Sequence, residues 1–338
     1  MEVGVRKLKI LHLTNELQPG GVTSVIYDLC SVQKGTHDVR IGALRRGDWD
    51  HRIDIPVAVG ANLIPEIINA DIVHCHHRTL SLLARTMRRK GVVDHVHNLF
   101  SNRRALSFRG NVVVCVATQI ETNTLEQFPH TKGRTRTIVN GIDDPLLPAV
   151  RDCERTRNSL TVIGAGRLET QKDPIAFLAI LSELRDRGVD FSASWFGDGT
   201  LRADFLNQIQ EFNLSEYVEL HGWISRDELL RRISQADVFL LTSRWEGMPM
   251  TAVESLAVGT PVASTRVGYL TEMLAAKHPE LVVDLGNLDL LFEAVESLSK
   301  STCQRRDYRR SAREIWNSNF NLQKKLSEWE DVYRDALN

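Results

Sequence analysis

The stretch VIGAGRLETQKDP, residues 162–174, decides how the chain is interpreted, because an apolar strand runs into a glycine-containing turn before an expected helix. A dinucleotide fingerprint would place G-x-G-x-x-G between that strand and helix. Gly164 and Gly166 supply the first two glycines, whereas Glu169 occupies the third position. A carboxylate there would stand where a pyrophosphate must approach the helix. The stretch therefore argues against a nicotinamide-dependent oxidoreductase.

The same turn carries two cations, Arg167 and Lys172, five residues apart. Arginine offers a planar fork and lysine a point charge, so the pair can clamp a phosphate group through side chains. A surface turn with scattered charge is the alternative interpretation, and this stretch alone does not separate the two.

Short apolar runs alternate with amphipathic stretches along the chain, the pattern of β-α units and parallel sheets. Turn-forming residues interrupt the rhythm at 140–159 and indicate a linker. We predict an α/β fold with two doubly wound, Rossmann-like domains at 1–145 and 146–317, and one more amphipathic helix at 318–338. Strands are expected near 8–14, 38–44, 71–76, 92–97, 112–117, 136–139, 160–164, 191–196, 217–220, 237–241, 261–264 and 281–283, and helices near 22–33, 62–70, 79–90, 118–127, 173–187, 200–213, 226–235, 249–258, 287–299 and 303–317.

The segment RWEGMPMTAVESLAVGTPV, residues 244–262, is the most informative about chemistry. Pro249 suits the first turn of a helix, and Glu254 can lean back toward the helix start, where Glu246 stands. The N–H groups from Met248 to Thr251 would form an anion site that the helix dipole strengthens. Two carboxylates for hydroxyls and a positive helix end for phosphate suit a nucleotide-activated sugar. A capped helix with an exposed Glu254 is the alternative.

Composition and cysteine usage place the chain among ordinary globular proteins. The 338 residues are 42% hydrophobic and 25% charged, and the length suggests about two domains. The first apolar run is too short for a membrane span and has no signal-peptide architecture, so we expect a cytoplasmic protein. The cysteines have no C-x-x-C spacing and are expected to be buried free thiols: Cys30, Cys75, Cys115, Cys153 and Cys303.

Charge is distributed unevenly although the formal net charge is only −1. Residues 1–145 hold 19 Lys and Arg against 14 Asp and Glu, whereas the remainder holds 23 against 29. Between residues 78 and 109 a basic excess faces only one acidic residue, Asp94. It indicates either a solvated helix face or contact with an anionic membrane surface or phosphorylated acceptor. The basic residues are Arg78, Arg85, Arg88, Arg89, Lys90, Arg103, Arg104 and Arg109.

The order of motifs resembles the group 1 (family 4) retaining glycosyltransferases of GT-B fold. The resemblance covers nearly the whole chain and is strongest from 139 to 272. The E-x7-E spacing, the R-x4-K pair and N-G-I-D are specific when they occur in this order. The matching motifs are P-G-G-V (19–22), H-V-H-N (95–98), V-N-G-I-D (139–143), G-R-L-E-T-Q-K-D (166–173), F-G-D-G-T-L-R (196–202) and E-G-M-P-M-T-A-V-E-S-L-A-V-G-T-P-V (246–262).

The resemblance implies two domains facing each other across a cleft, a final helix that crosses back to the first domain, and a UDP- or GDP-sugar as co-substrate. It implies that Glu246 faces the donor sugar, Glu254 binds the ribose, Arg167 and Lys172 neutralise the departing diphosphate, and His97 contacts the transferred sugar. No divalent metal or other cofactor is expected. The implied catalytic residues are Glu246, His97, Arg167 and Lys172, and the implied donor-binding residues are Gly20, Gly21, Asn140, Gly166, Gly247, Met248, Met250, Thr251 and Glu254.

Two features depart from the family pattern. Tyr269 stands where a second glycine usually follows T-R-V-G, although Glu272 is retained, and little sequence separates 44 from 62. The acceptor site is therefore expected to be open and shallow. The acceptor would be a carbohydrate or a lipid-linked sugar used in bacterial-type polysaccharide or glycolipid synthesis, at the inner face of a membrane. A nucleic-acid partner is not expected.

Other interpretations of these patterns stay open. A non-hydrolysing nucleotide-sugar epimerase shares the GT-B fold, and a two-lobed sugar-binding protein would share the cleft. Asp48-x-Asp50 has the spacing of a metal-bound nucleotide site, but its polar surroundings favour a solvated turn. A metal site is conceivable at the histidines near two strand ends, although we expect none. These are His74, His76, His77, His95 and His97.

Overall fold

The computed structural model describes residues 6–18, 20–47, 55–102, 104–145 and 159–338. It divides the chain into two compact units, one over residues 1–143 and 321–338 and the other over residues 144–320. Asp48, Asp50, Pro19, Arg103 and Cys153 lie outside the described residues.

The first unit contains a seven-stranded sheet with helices packed against it. Val and Ile dominate the buried strands, as expected for a parallel sheet covered on both faces. Its strands are β1 (Lys9–Glu16), β2 (Asp38–Arg45), β3 (Val57–Val59), β4 (Ile72–Cys75), β5 (Val92–Val96), β6 (Val112–Cys115) and β7 (Thr135–Thr137), and its helices are α1 (Gly21–Gln33), α2 (Leu63–Asn69), α3 (Leu80–Met87), α4 (Thr118–Gln127) and, at the end of the chain, α12 (Leu326–Leu337).

The strand order in this sheet is β3-β2-β1-β4-β5-β6-β7, with all described pairs parallel. The order reverses between β1 and β4, where Ile10 pairs with Ile72 and His12 with His74. Helix α12 packs on β4, β5 and β6 and buries Trp329 and Tyr333. The final helix thus belongs to the same unit as the N-terminal sheet.

The second unit contains a six-stranded parallel sheet of order β10-β9-β8-β11-β12-β13. Its order reverses between β8 and β11, and ligands of doubly wound sheets bind beyond the strand ends at such a point. Its strands are β8 (Leu160–Ala165), β9 (Phe191–Phe196), β10 (Val218–Gly222), β11 (Val238–Leu241), β12 (Val262–Thr265) and β13 (Val282–Val283), and its helices are α5 (Pro174–Asp186), α6 (Arg202–Glu211), α7 (Arg226–Gln235), α8 (Met250–Ala257), α9 (Gly268–Lys277), α10 (Leu288–Lys300) and α11 (Thr302–Asn319).

Gly164 is required for packing in the hydrophobic core of the second unit, and not for phosphate binding. A Cβ atom at this position would lie 2.5 Å from the Trp195 ring and 2.9 Å from the Phe177 ring. The two rings are fully buried and meet edge to face. The first glycine of the apparent fingerprint therefore lets strand β8 pass beneath an aromatic cluster.

The predicted strands and helices are present, and their ends differ by a few residues. Strand β3 and helix α9 were not predicted. Strand β3 has three residues, too few for a period, and α9 begins at Gly268, which reads as a turn residue. The expectation of buried thiols is wrong at Cys303, which is exposed, whereas Cys30, Cys75 and Cys115 are buried and free.

Candidate active site

Two loops meet at the carboxyl edge of the second sheet, one after β8 (166–173) and one after β11 (242–249). The Arg244 N–H donates to the Gln171 carbonyl at 2.8 Å, and the Thr242 hydroxyl donates to the Asp173 carbonyl at 2.9 Å. Asp173 also accepts from the Arg244 side chain at 2.7 Å. These bonds hold the loops together at the topological switch point, where a ligand is expected.

Lys172 and Glu246 form an ion pair between the two loops. Their Nζ and Oε1 atoms lie 2.6 Å apart, and the side chains are 15% and 6% exposed. The Ser243 hydroxyl donates to the same Oε1 atom at 2.8 Å. A carboxylate this deeply buried needs such partners to offset its lost hydration. The site therefore contains a cation and a carboxylate held in one place before any ligand arrives.

Gly166 makes room for the Lys172 stem. Its φ of +145° lies in a region that L side chains rarely adopt, and an added Cβ would lie 2.8 Å from the Lys172 Cε atom. Replacing this glycine would displace the lysine that pairs with Glu246. Unlike Gly164, the second glycine of the stretch shapes the site itself.

Arg167 is exposed, and its guanidinium donates to the Gln171 side chain at 3.3 Å. The Arg167 guanidinium thus lies at the edge of the loop, beside Gln171. Glu169 is not at a helix start, because α5 begins only at Pro174. Glu169 accepts bonds from the Thr200 N–H at 3.2 Å and hydroxyl at 2.8 Å, and these bonds lower the pKa of the carboxyl group. Glu169 therefore does not occupy a helix start where a pyrophosphate would bind, as the comparison with the dinucleotide fingerprint had assumed.

Helix α8 begins at Met250 after Pro249, without a side-chain hydrogen bond capping its N-terminus. The side chains of Met248 and Met250 are buried, so they position the backbone rather than reach solvent. Thr251 makes a long contact of 3.5 Å with the Ala165 carbonyl. Backbone N–H groups at such a helix start, together with the dipole, favour an anion.

Glu254 is only 3% exposed and pairs with Arg226 of α7, whose Nε lies 2.6 Å from its Oε1 atom. The sequence reasoning did not single out Arg226. It is the first residue of α7, after a Ser225 cap whose hydroxyl accepts from the Glu228 N–H at 3.3 Å. The S-R-D-E run predicts this capped start, but not the partner 28 residues away.

Gly268, with φ +68°, brings the start of α9 against the Glu246 loop. An added Cβ would lie 3.1 Å from the Gly247 carbonyl oxygen and 3.2 Å from that of Glu246. Tyr269 occupies the first turn of α9, where the family pattern usually has glycine. The backbone of Gly247 thus lies against the start of α9, which approaches it through a glycine.

In the first unit, Gly20 and Gly21 stand at the start of α1. Gly20 has φ +153° and open space where a Cβ would be, so its conformation rather than crowding calls for glycine. Asn140 is buried near His95. The structure therefore places three of the implied donor-binding residues in this unit.

Five histidines lie together at the switch point of the first sheet. His12 lies 3.0 Å from His76, His76 lies 3.1 Å from His97, and His74 lies 3.2 Å from His95, each distance joining two ring nitrogens. His12 was not among the histidines considered from the sequence, and His77 instead contacts Thr79 at 3.1 Å. Two triads bring nitrogen atoms within 4.8 Å of one another: His12, His74 and His76, and His76, His95 and His97.

Burial keeps these imidazoles neutral. Loss of hydration lowers the pKa of His12 to about 4 and that of His97 to about 3. Burial, with repulsion from neighbouring imidazoles, also holds the pKa values of His74, His76 and His95 well below the usual range. At its switch point, the first sheet therefore carries a cluster of neutral, polar imidazoles.

Not all of the basic side chains between residues 78 and 109 are exposed to solvent. Arg88 is directed inward and donates to the carbonyl oxygens of Ile67, Ala70 and Asp71. Arg85, Arg89 and Lys90 are exposed. Across the described ranges, no helix is both long and apolar enough to cross a membrane.

Residues 153–315 match the sequence model of the family described as "Glycosyl transferases group 1". The chain is 23% identical over 296 residues to UDP-Gal:alpha-D-GlcNAc-diphosphoundecaprenol alpha-1,3-galactosyltransferase of Escherichia coli, covering 79% of this chain and 76% of that protein. It is 32% identical over 136 residues to 2-deoxystreptamine glucosyltransferase of Streptomyces kanamyceticus, covering 40% of this chain and 35% of the relative.

Solved structures share the fold over almost the full length. HepE from Anabaena, crystallised with UDP and glucose, gives a TM-score of 0.78 at 19% identity and covers 96% of this chain and 99% of that one. WaaG, a glycosyltransferase involved in lipopolysaccharide biosynthesis, gives a TM-score of 0.76 at 14% identity, with 96% and 98% covered. The fold is therefore GT-B, and the second unit carries the match to the group 1 glycosyltransferase family.

Proposed function

We propose that this protein is a metal-independent, retaining glycosyltransferase of family 4 that moves a sugar from a UDP- or GDP-sugar to an acceptor hydroxyl. The observation that carries the proposal is the Lys172–Glu246 pair at the switch point of the second sheet, with Arg167 on the same loop. HepE, which shares the fold, was crystallised with UDP and glucose. That nucleotide supports a nucleotide sugar as the co-substrate here.

Charge placement gives the reaction its physical basis. Cleavage of the bond between the sugar and the diphosphate leaves negative charge on the β-phosphate. Arg167, Lys172 and the N-terminus of α8 would stabilise this charge while it develops, which is the condition for lowering the barrier. Because Lys172 is already held by Glu246, little reorganisation is needed when the diphosphate departs.

The remaining polar groups would orient the donor. Glu246 would accept bonds from hydroxyls of the transferred sugar, and Glu254 from the ribose. We propose that Arg226 orients the Glu254 carboxylate for that role, since the two form a 2.6 Å contact. His97 would contact the transferred sugar from the first unit. Gly20, Gly21 and Asn140 would contribute close backbone and amide contacts to the donor.

We further propose that the acceptor is carbohydrate or lipid-linked, used in polysaccharide or glycolipid synthesis. The E. coli relative is named for an acceptor carried on diphosphoundecaprenol. The exposed Arg85, Arg89 and Lys90 would draw the first unit to an anionic membrane surface at the inner face. Each exposed cation near such a surface contributes about 1 kcal/mol of attraction.

A thermal-shift panel of nucleotide diphosphates and nucleotide sugars tests the donor. A ligand at 100 times its Kd adds about 2.7 kcal/mol of stability, so one nucleotide diphosphate should raise the Tm clearly. The selected donor is then incubated with sugar and lipid-linked acceptors in excess chelator, and transfer should continue. Loss of activity in chelator with rescue by manganese or magnesium would contradict the metal-independent mechanism. Epimerisation of the nucleotide sugar without any acceptor would instead identify an epimerase.

Vesicle co-sedimentation tests the membrane proposal. Binding should require anionic lipid, weaken with salt, and fall when Arg85, Arg89 and Lys90 are replaced by Glu. Arg88 is left unchanged, because its guanidinium holds backbone carbonyls. The matched control reverses three exposed cations of the second unit: Arg231, Lys300 and Arg310. Equal partitioning to neutral and anionic vesicles, or none to either, would exclude the membrane surface.

A further inference from the structure

The five histidines at the first switch point are connected through two more side chains, Gln33 of α1 and Tyr333 of α12. The His12 Nε2 atom lies 2.8 Å from the Gln33 Oε1 atom, and the Gln33 amide nitrogen donates to the Tyr333 hydroxyl at 2.7 Å. The same hydroxyl lies 3.0 Å from the His74 Nδ1 atom. The side chains therefore form one continuous chain of hydrogen bonds, with His97 at one end and His95 at the other.

Each contact in this chain needs one N–H or O–H and one lone pair. A neutral imidazole has one of each, so the role of one ring nitrogen determines the role of the other. Because the Gln33 oxygen can only accept, His12 must donate from Nε2 and accept at Nδ1. His76 must then donate from Nε2 to His12, and His97 from Nε2 to His76.

The hydrogen bonds on the other side of Gln33, toward His95, are assigned in the same way, starting from the Gln33 amide nitrogen. This group donates to the Tyr333 oxygen, so the Tyr333 hydroxyl hydrogen is free to donate to His74 Nδ1. His74 then donates from Nε2 to His95 Nδ1. The chain ends at His95 Nε2, which is buried near Asn140 without a well-formed hydrogen bond.

We propose that Gln33 and Tyr333 are positioning residues that hold all five imidazoles in the Nε2–H tautomer and so fix the tautomer of His97. In this state His97 donates to His76 and keeps Nδ1 as an acceptor. Resting on the proposed function, the inference assigns His97 the role of accepting a bond from a sugar hydroxyl rather than donating one to a phosphate oxygen. Helix α12 thereby contributes to the site through Tyr333, although the side chain of that residue is buried.

A metal ion is the competing explanation for clustered imidazoles. Both nitrogens of His12, His74 and His76 already have hydrogen-bond partners, so a metal at either triad would replace existing bonds. Neither triad contains a carboxylate to offset a buried dication. The neutral state that burial imposes on the imidazoles also fits hydrogen bonds that all run in one direction.

The direction depends on the Gln33 amide, and a rotated amide would reverse the bonds and place hydrogen on Nδ1 throughout. Nuclear magnetic resonance of ¹⁵N-histidine-labelled full-length protein distinguishes these cases, because the two tautomers give different nitrogen shifts. Five of the 11 histidines should show a single Nε2–H tautomer that does not titrate between pH 6 and 8. An Nδ1–H tautomer at any of the five, or a bound transition metal in the purified protein, would overturn the proposal.

The Tyr333→Phe variant tests the coupling to His97. Without the hydroxyl, the Gln33 amide loses its acceptor and becomes free to rotate, so His97 should become a mixture of tautomers. Turnover should fall in proportion to the Nε2–H population, with kcat affected more than the KM for the donor. The control is Tyr308→Phe, which removes a buried hydroxyl bonded to Glu280 at 2.7 Å in the other unit. An unchanged His97 tautomer in the folded Tyr333 variant would overturn the proposal.

The wild-type spectrum keeps the proposal testable even if the Tyr333 variant does not fold. It also separates the tautomer proposal from the proposed function. Five Nε2–H imidazoles in a protein without sugar-transfer activity would leave the network standing and overturn only the function. Active enzyme with reversed or mixed tautomers in the wild-type protein would do the opposite.

Discussion

The carboxyl edges of the two sheets occupy the same topological position but differ in charge. In the second unit, the loops after β8 and β11 carry a Lys172–Glu246 ion pair, and Glu254 pairs with Arg226 nearby. In the first unit, β1, β4 and β5 carry His12, His74 and His95, all buried and neutral. Two sheets of the same doubly wound kind thus carry paired charges at one switch point and neutral imidazoles at the other.

The two switch points therefore differ in the chemical groups that they can bind. An ionic edge with paired charges can bind a diphosphate, since rearranging fixed charges costs less than burying new ones. Neutral imidazoles suit hydroxyl groups, which need directional donors and acceptors rather than net charge. Under the proposed function, the nucleotide diphosphate binds at the carboxyl edge of the second sheet. The sugar hydroxyls bind at the carboxyl edge of the first sheet.

The largest expected effect is a loss of stability of the first sheet in acid. The five imidazoles have pKa values below those of an unfolded chain, so the unfolded state binds more protons as pH falls below about 6.5. Between pH 7 and 5.5 this removes about 1 kcal/mol for each imidazole. Burial raises the pKa of Asp94 to about 7, so its protonation in the folded state opposes the loss by about 1–2 kcal/mol. The net loss should be about 4 kcal/mol.

Amide hydrogen exchange at pH 7 and 5.5, corrected for intrinsic rates, measures this effect strand by strand. The free energy of opening should fall strongly for the amides of β4 and β5 and much less for those of β8 and β11. The same loss in both sheets would show that the imidazole network does not determine the acid response, and the comparison of the two edges would fail.

The next largest effect is on the rate of transfer, when a cation at the carboxyl edge of the second sheet is removed. Lys172→Ala should slow transfer by about 10²–10³-fold, the usual cost of removing one contact to developing charge. Arg167→Ala should have a similar effect, while the KM for the donor rises less than kcat falls. Lys300→Ala is the control, because Lys300 is exposed and pairs with Glu296 at 2.7 Å, as Lys172 pairs with Glu246. Near wild-type turnover in both folded site variants would show that Arg167 and Lys172 do not stabilise the departing diphosphate.

A smaller effect is expected for Glu254→Gln. The amide keeps the shape of the side chain but loses its charge, so the 2.6 Å contact with Arg226 is no longer an ion pair. The Kd for the nucleotide diphosphate should rise by about 10- to 100-fold, because a hydrogen bond to a charged group contributes about 1.5–3 kcal/mol. Glu296→Gln removes a surface partner of Lys300 and should leave that Kd unchanged. An unaltered Kd in the Glu254 variant would argue against a role in ribose binding.

The sequence predicted the alternation of strands and helices because buried parallel strands and amphipathic helices have distinct periods. The sequence also indicated four candidate site residues: Arg167, Lys172, Glu246 and Glu254. These residues follow predicted parallel strands, and the carboxyl ends of such strands lie at the same edge of a sheet. Arg226 was missed because its pairing with Glu254 depends on the packing of α7 beside α8, which no local pattern records.

The histidine network shows a second limit of sequence reasoning. His12 lies 62 residues before His74, and Tyr333 lies near the end of the chain, so only the strand order and the docking of α12 bring them together. Gly164 was also misleading, since a glycine required by the Trp195 ring looks the same in sequence as one required by a phosphate.

The proposed function requires a nucleotide diphosphate to bind at the carboxyl edge of the second sheet, near Lys172 and Glu246. Hydrogen exchange followed by mass spectrometry, on the full chain with and without the nucleotide diphosphate chosen by thermal shift, tests it directly. We predict that the ligand slows exchange in peptides covering 166–173 and 242–251. Protection confined to the first unit, or none at saturating ligand in either unit, would contradict the account.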